Sequence, residues 1–141
     1  MPPPLPDAPP RSLRVFVVEN HPDTLKYLRM YLEALGHEVS TALTMRDALA
    51  ALPAADPDVL ISDIGLPDGT GWELMQRLNG RFGRQVYTIA MSGFGLHADQ
   101  VRSRAVGFRH LLLKPFPPDR LDDLLDEATR ELATDAEAHE P

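Results

Sequence analysis

Cysteine is absent from the 141 residues, so disulfides and thiolate metal sites are excluded. No apolar run approaches the roughly 20 residues that a membrane-spanning helix needs. The N-terminal stretch MPPPLPDAPP lacks the basic and apolar regions of a secretory signal. These absences predict a cytoplasmic protein. Basic clusters are missing too: 14 Lys and Arg stand against 21 Asp and Glu, a formal net charge of −7. A nucleic-acid surface needs grouped cations to neutralise phosphates, so neither nucleic acid nor membrane is an expected partner. No GxGxxG follows the first apolar run, which leaves dinucleotide binding without support.

What is present suits one domain. With 43% hydrophobic and 25% charged residues, a chain of this size can bury a substantial core. Six of the 14 prolines fall in the first ten residues, so residues 1–12 are expected to form a disordered, extended tail. Pro3 to Pro6 has the PxxP spacing that an SH3-like groove accepts, although a solvated leader is the simpler reading. Residues 133–141 are acidic and rich in small side chains, and are expected to fray as a disordered tail.

Between these tails, β-type apolar runs alternate with helical patterns. Leu13–Val18 is a near-continuous β-branched and aromatic run, as a strand covered on both faces would be. A helix follows from Pro22, with Leu25, Leu28 and Leu32 on one stripe, and Gly36 ends it. His37–Ala42 predicts a second strand. Thr44 caps a short helix through Leu52, and Val59–Ile61 predicts a third strand. A Gly/Pro-rich loop then leads into a helix over Trp72–Leu78. Val86–Met91 and Leu111–Leu113 predict the fourth and fifth strands, with a helix over Asp99–Val106 between them. Pro117–Leu132 closes the pattern as a helix. Five β–α units in alternation predict a doubly wound parallel sheet with helices on both faces. The flavodoxin-like order 2-1-3-4-5 is the expected arrangement, and a Rossmann-like half-domain fits the periodicity as well.

In such a sheet, ligands bind beyond the carboxyl ends of the strands where the strand order reverses. Polar residues stand at those ends: Glu19 and Asn20 after the first strand, Asp63 after the third, Ser92 after the fourth and Lys114 after the fifth. One acid at a strand end is usually a solvated loop residue or a helix cap. Five polar groups at four converging ends point to a site.

The stretches VFVVENHPD, DVLISDIGLPDGTGWEL, IAMSG and LLLKPF, in that order and spacing, resemble the response-regulator receiver domains of two-component signalling. The resemblance spans residues 13–132 and is closest in kind to stand-alone chemotaxis receivers. It implies that Asp63 is the phosphoacceptor, that Lys114 pairs with the phosphoryl oxygens, and that Ser92 donates a hydroxyl hydrogen bond to one of them. It also implies Mg²⁺ as cofactor, held by Glu19, Asn20, Asp63 and the backbone carbonyl of Gly65, and a cis Lys114–Pro115 bond. The implied partners are a histidine kinase or phosphotransfer protein, and a downstream protein on the face of the fourth helix, fifth strand and fifth helix. Homodimerisation is a further expectation. Catalysis would be limited to the domain's own phosphoryl transfer and slow self-dephosphorylation.

Three positions depart from the family pattern. Asn20 stands where a second acid is usual, so Mg²⁺ is expected to bind more weakly, with the longer Glu19 compensating; alternatively Asn20 caps the following helix. Gly65 and Phe94 occupy the positions whose polar side chains help to orient a hydrolytic water. Neither can do so, and Phe94 is expected to shield the site, which predicts a long-lived phosphoryl group. Leu111 replaces the usual Tyr or Phe of the switch, with His110 beside it and Phe108 close by. His21, His37, His97 and His139 show no metal-ligand spacing and are expected at the surface, whereas Trp72 is expected in the core. Asn20 and Leu111 keep a second function open, that of a phosphorylation-independent interaction module. An aspartate-nucleophile phosphatase would need an acid at Gly65. A flavin site would need a Ser/Thr-rich loop where His21-Pro22-Asp23 stands.

Overall fold

The computed structural model describes residues 12–138 except residues 80, 83–84 and 95–96. The PxxP spacing and His139 therefore lie outside the described residues. The elements are β1 (Arg14–Val18), α1 (Pro22–Ala34), β2 (Glu38–Ala42), α2 (Met45–Ala55), β3 (Val59–Asp63), β4 (Gly65–Leu66), β5 (Gly69–Thr70), α3 (Gly71–Leu78), β6 (Tyr87–Ser92), α4 (His97–Ala105), β7 (His110–Leu113) and α5 (Pro118–Ala138). The main sheet is parallel in the order β2-β1-β3-β6-β7. Counted over the five main strands this is 2-1-3-4-5, the expected flavodoxin-like order.

Successive residues of β1 point to opposite faces, as the pleat requires. Val15 and Val17 pack with Leu25, Leu28 and Leu32 of α1 and Leu121, Leu124 and Leu125 of α5. Phe16 and Val18 pack on the other face with Met45, Ala48 and Leu52 of α2 and Leu74 and Leu78 of α3. Burial on both faces explains why the strands show continuous apolar runs rather than alternation. A third cluster of Ile64, Ala90 and Phe108 takes in Trp72 and Leu111 beside α4. Trp72 is thus only half-buried. Its indole N–H donates to Ser103 Oγ at 2.9 Å, and the Arg102 guanidinium stacks 4.1 Å from the ring centroid.

Several boundaries differ from the sequence expectation, each for a physical reason. Helix α2 runs past Leu52 to Ala55 with Pro53 inside it. Proline is tolerated so close to the end, where Asp56 terminates the helix in the left-handed region at φ 44°. The Gly/Pro-rich loop contains a two-stranded antiparallel ribbon, β4–β5, missed because each strand is only two residues long. Asp68 at its tip accepts from the Met45 and Arg46 N–H groups at 2.8 and 2.9 Å, so the ribbon is tied to the start of α2. Those two amide bonds, Arg46's first, hold the Asp68 carboxyl below its usual range. Thr44 caps α2 as expected, accepting from Asp47 N–H at 3.0 Å. Helix α5 continues beyond Leu132 to Ala138, into the stretch expected to fray.

His37 is not the free surface residue expected. It is half-buried, and its Nδ1 accepts the Leu13 N–H at 3.1 Å. Burial lowers its pKa, which suits a neutral ring acting as acceptor.

Candidate functional site

Strand order reverses between β1 and β3, and the polar strand ends meet there. Glu19 directly follows β1 and is fully buried, its N–H donating to the Ala42 carbonyl at 3.1 Å. Asp63 is the last residue of β3 and is 4% exposed. Lys114 follows β7, its N–H donating to the Ser92 carbonyl at 2.7 Å, and the Lys114–Pro115 peptide is cis, as the resemblance implied.

These three side chains form one ionic cluster. Lys114 Nζ lies 2.6 Å from Asp63 Oδ1 and 2.6 Å from Glu19 Oε2. The other oxygen of each carboxylate takes backbone or ring partners. Asn20 N–H donates to Asp63 Oδ2 at 3.2 Å, and His21 N–H donates to Glu19 Oε1 at 3.2 Å. Two buried carboxylates facing one ammonium cannot both ionise cheaply. Burial pushes the Asp63 carboxyl up to about 6 against the pull of Lys114, and the Glu19 charge adds to the rise. Burial also works to raise Glu19, but its hydrogen bonds with Lys114, Asp63 and His21 hold it below the usual range. Glu19 is therefore the first of the pair to ionise as pH rises and Asp63 the second, and Lys114 is held firmly protonated by both.

Close approach of α3 completes the wall. Gly71 N–H donates to the Ile64 carbonyl at 2.8 Å. A Cβ at Gly71 would run into the Asp63 carbonyl oxygen, so only glycine lets α3 start there. Thr70 accepts from Glu73 N–H at 3.1 Å and caps α3.

The remaining predicted residues are placed differently. Asn20 is half-buried and contributes its backbone N–H to Asp63; it does not cap α1, whose N-cap is His21 with no side-chain cap bond. Ser92 ends β6, but its hydroxyl is engaged locally, donating to the Phe94 carbonyl at 2.9 Å and accepting from Phe94 N–H at 3.0 Å. Phe94 is 74% exposed, and a ring so open to solvent does not shield Asp63, which corrects that expectation. Gly65 is exposed in β4. Leu111 is half-buried against the cluster of Ile64, Ala90 and Phe108.

One residue was overlooked. Ligand atoms of Glu19, His21 and Asp63 lie within 4.8 Å of one another, a donor set that can hold a metal ion. His21 is exposed, yet its Nδ1 is 2.9 Å from Glu19 Oε1. Ligand spacing in sequence could not reveal it, because the third donor comes from a different strand.

The family model for the response regulator receiver domain matches residues 15–126. The chain belongs to the receiver-domain family. It is 34% identical over 127 residues to the transcriptional regulatory protein KdpE of Mycobacterium tuberculosis, covering 90% of this chain and 55% of that protein. A 14.6 kDa protein of Leptolyngbya boryana is 31% identical over 117 residues, covering 82% of this chain and 89% of that one. Among solved structures, the chemotaxis response regulator CheY4 of Vibrio cholerae superposes with a TM-score of 0.77 at 27% identity, covering 84% of this chain and 99% of that one. The receiver domain therefore spans about half the length of KdpE and nearly all of CheY4. No helix among its described residues is long and apolar enough to cross a membrane.

Proposed function

We propose that Asp63 accepts a phosphoryl group from a histidine kinase or phosphotransfer protein, and that the phosphorylated domain switches the binding of a partner or passes the phosphate on. The observation that carries this reading is the convergence of Asp63, Glu19 and Lys114 at the switch point of a receiver fold. An Asp63 oxygen attacks phosphorus in line with the bond to the donor imidazole nitrogen. The O–P bond forms as the N–P bond breaks, and the leaving imidazole takes up a proton. Lys114 already touches the Asp63 oxygen that would be phosphorylated, so a small swing carries its ammonium onto the new phosphoryl oxygens. Asn20 N–H holds the other Asp63 oxygen and fixes the carboxylate plane. Ser92 can donate to a phosphoryl oxygen only after releasing the Phe94 carbonyl, so phosphorylation would require residues 92–94 to rearrange.

Mg²⁺, when bound, would offset the negative charge gathered on the transferring group. Glu19, Asp63, Asn20 and the Gly65 carbonyl are the residues proposed to hold it. A cleft of about 420 Å³ lined by Tyr27, Leu28, Met91 and Phe116 opens beside Lys114 and suits the apolar surface of a phosphodonor. Gly65 has no side chain to orient a hydrolytic water, so self-dephosphorylation should be slow; a phosphate-release half-life of seconds would contradict this. Without phosphorylation, a partner on the face of α4, β7 and α5 meets a single fixed state, and the domain is then an interaction module. Incubation with acetyl phosphate and Mg²⁺, followed by intact mass measurement, separates the two readings. One added phosphoryl group on the wild type and none on Asp63→Ala is expected; an unmodified wild type favours the module.

A further inference from the structure

We propose that His21 is a ligand of the divalent-cation site and tilts its preference from Mg²⁺ towards first-row transition ions of the Mn²⁺, Co²⁺ and Zn²⁺ class. The inference rests on the phosphoryl-transfer reading of the pocket and concerns which cation that pocket takes.

Charge is the first consideration. Mg²⁺ binds through hard oxygen donors and relies on carboxylates. Here Asn20 supplies a neutral side chain where a third carboxylate would stand, and the two remaining carboxylates already share the Lys114 ammonium at 2.6 Å each. The cluster of Glu19, Asp63 and Lys114 thus carries one net negative charge when fully ionised, a weak attraction for a hard dication.

Donor type is the second. A ring nitrogen of His21 is one of three ligand atoms within 4.8 Å of one another, the others being carboxylate oxygens of Glu19 and Asp63, and Nδ1 is the nitrogen that faces Glu19. An imidazole nitrogen adds a donor without adding charge. That gains little for Mg²⁺ and much for borderline ions, for which imidazole is a preferred ligand. Two carboxylates and one imidazole also leave open positions for water and a phosphoryl oxygen.

Preorganisation is the third. His21 is the residue immediately before α1, its backbone N–H donates to Glu19 Oε1 at 3.2 Å, and its Nδ1 sits 2.9 Å from the same oxygen. The ring is therefore already turned towards the carboxylates. Without a metal, Nδ1 at that distance donates its proton to Glu19 Oε1; coordination through Nδ1 needs the ring proton on Nε2 instead, with the cation taking the place of the hydrogen bond. The side chain is 69% exposed, so solvent can take the Nε2–H bond.

The test uses the full chain and compares wild type with His21→Gln, an exposed substitution that should leave the fold intact. Calorimetric titration with Mn²⁺ and with Mg²⁺ gives the selectivity ratio, and electron spin-echo spectroscopy of the Mn²⁺ complex detects a coordinated imidazole nitrogen directly. The expected result is nitrogen modulation in wild type that disappears in His21→Gln. Loss of that ligand should weaken Mn²⁺ about tenfold or more, with Mg²⁺ affinity nearly unchanged. Absence of nitrogen modulation, or equal loss for both cations, overturns the proposal while leaving the phosphoacceptor reading intact. Failure of wild type to bind either cation overturns the proposal and the metal-dependent phosphoryl transfer together.

Discussion

Replacing Asp63 by Asn should stabilise the metal-free domain, and by an amount that depends on pH. Asp63 is 4% exposed and its carboxyl is pushed up from 3.8 to about 6, chiefly by burial. A raised carboxyl pKa means that the native state binds more protons than the unfolded chain between those two values. Stability due to this group is therefore complete below pH 3.8 and is lost as pH rises through 6. Each tenfold change in proton affinity is worth about 1.4 kcal/mol, so the full cost of ionised Asp63 is about 3 kcal/mol at pH 7.5 and about half that at pH 5. Asparagine removes the titration without orphaning a neighbour. Lys114 keeps Glu19 at 2.6 Å, and an amide oxygen can still accept the Asn20 N–H. At about 3 °C per kcal/mol for a domain of this size, Asp63→Asn should melt up to roughly 9 °C above wild type at pH 7.5. The gain should shrink to roughly half at pH 5. Calorimetry in EDTA at the two pH values reads this directly. An equal gain at both, or destabilisation at pH 7.5, would refute the account of the cluster as an excess of buried negative charge.

Gly71→Ala should cost about 2–3 kcal/mol in urea unfolding, because the new Cβ meets the Asp63 and Ile64 backbone, which cannot yield. Gly65→Ala, with nothing within 4 Å, should be near neutral, and equal effects would defeat the argument. His37→Leu leaves the buried Leu13 N–H without its acceptor and should cost about 1–3 kcal/mol at neutral pH. Burial depresses the His37 pKa, so its contribution is present above the ordinary value of 6.5 and fades as pH falls through the depressed one. The gap between His37→Leu and wild type should therefore narrow in acid, and a constant gap would count against it. Asn20→Asp restores a carboxylate beside Glu19 and Asp63 and should tighten Mg²⁺ binding severalfold by calorimetry; equal affinities would contradict the charge argument.

The fold was legible because the central strands β1, β3 and β6 are buried on both faces, so Leu13–Val18 and Val59–Ile61 show as apolar runs between helical stripes. The alternation implied a parallel sheet, and the flavodoxin-like order was the expected one for five strands, although a Rossmann-like half-domain fitted the same periodicity. The switch-point rule then pointed to Glu19, Asp63 and Lys114. The ribbon over Gly65–Thr70 was not legible, since two-residue strands carry no periodicity and its anchor is the contact of Asp68 with the start of α2. Pro53 hid the end of α2, because a proline normally marks a boundary and here lies just inside one. Within the site, residue types could be named but not their present partners. The Ser92 hydroxyl is turned to Phe94, and Phe94 itself lies open to solvent. His21 and Glu19 meet Asp63 only because β1 and β3 lie side by side in the sheet, a relation that spacing along the chain does not encode.

The central claim is that Asp63 itself carries the phosphoryl group. Borohydride reduction of the protein after treatment with acetyl phosphate and Mg²⁺ converts an acyl phosphate to an alcohol, and tandem mass spectrometry of the peptides then locates it. The account predicts homoserine at position 63 and nowhere else, and none in protein that was never phosphorylated. Modification at another residue, or an unreduced Asp63 in a sample shown to carry phosphate, would contradict it.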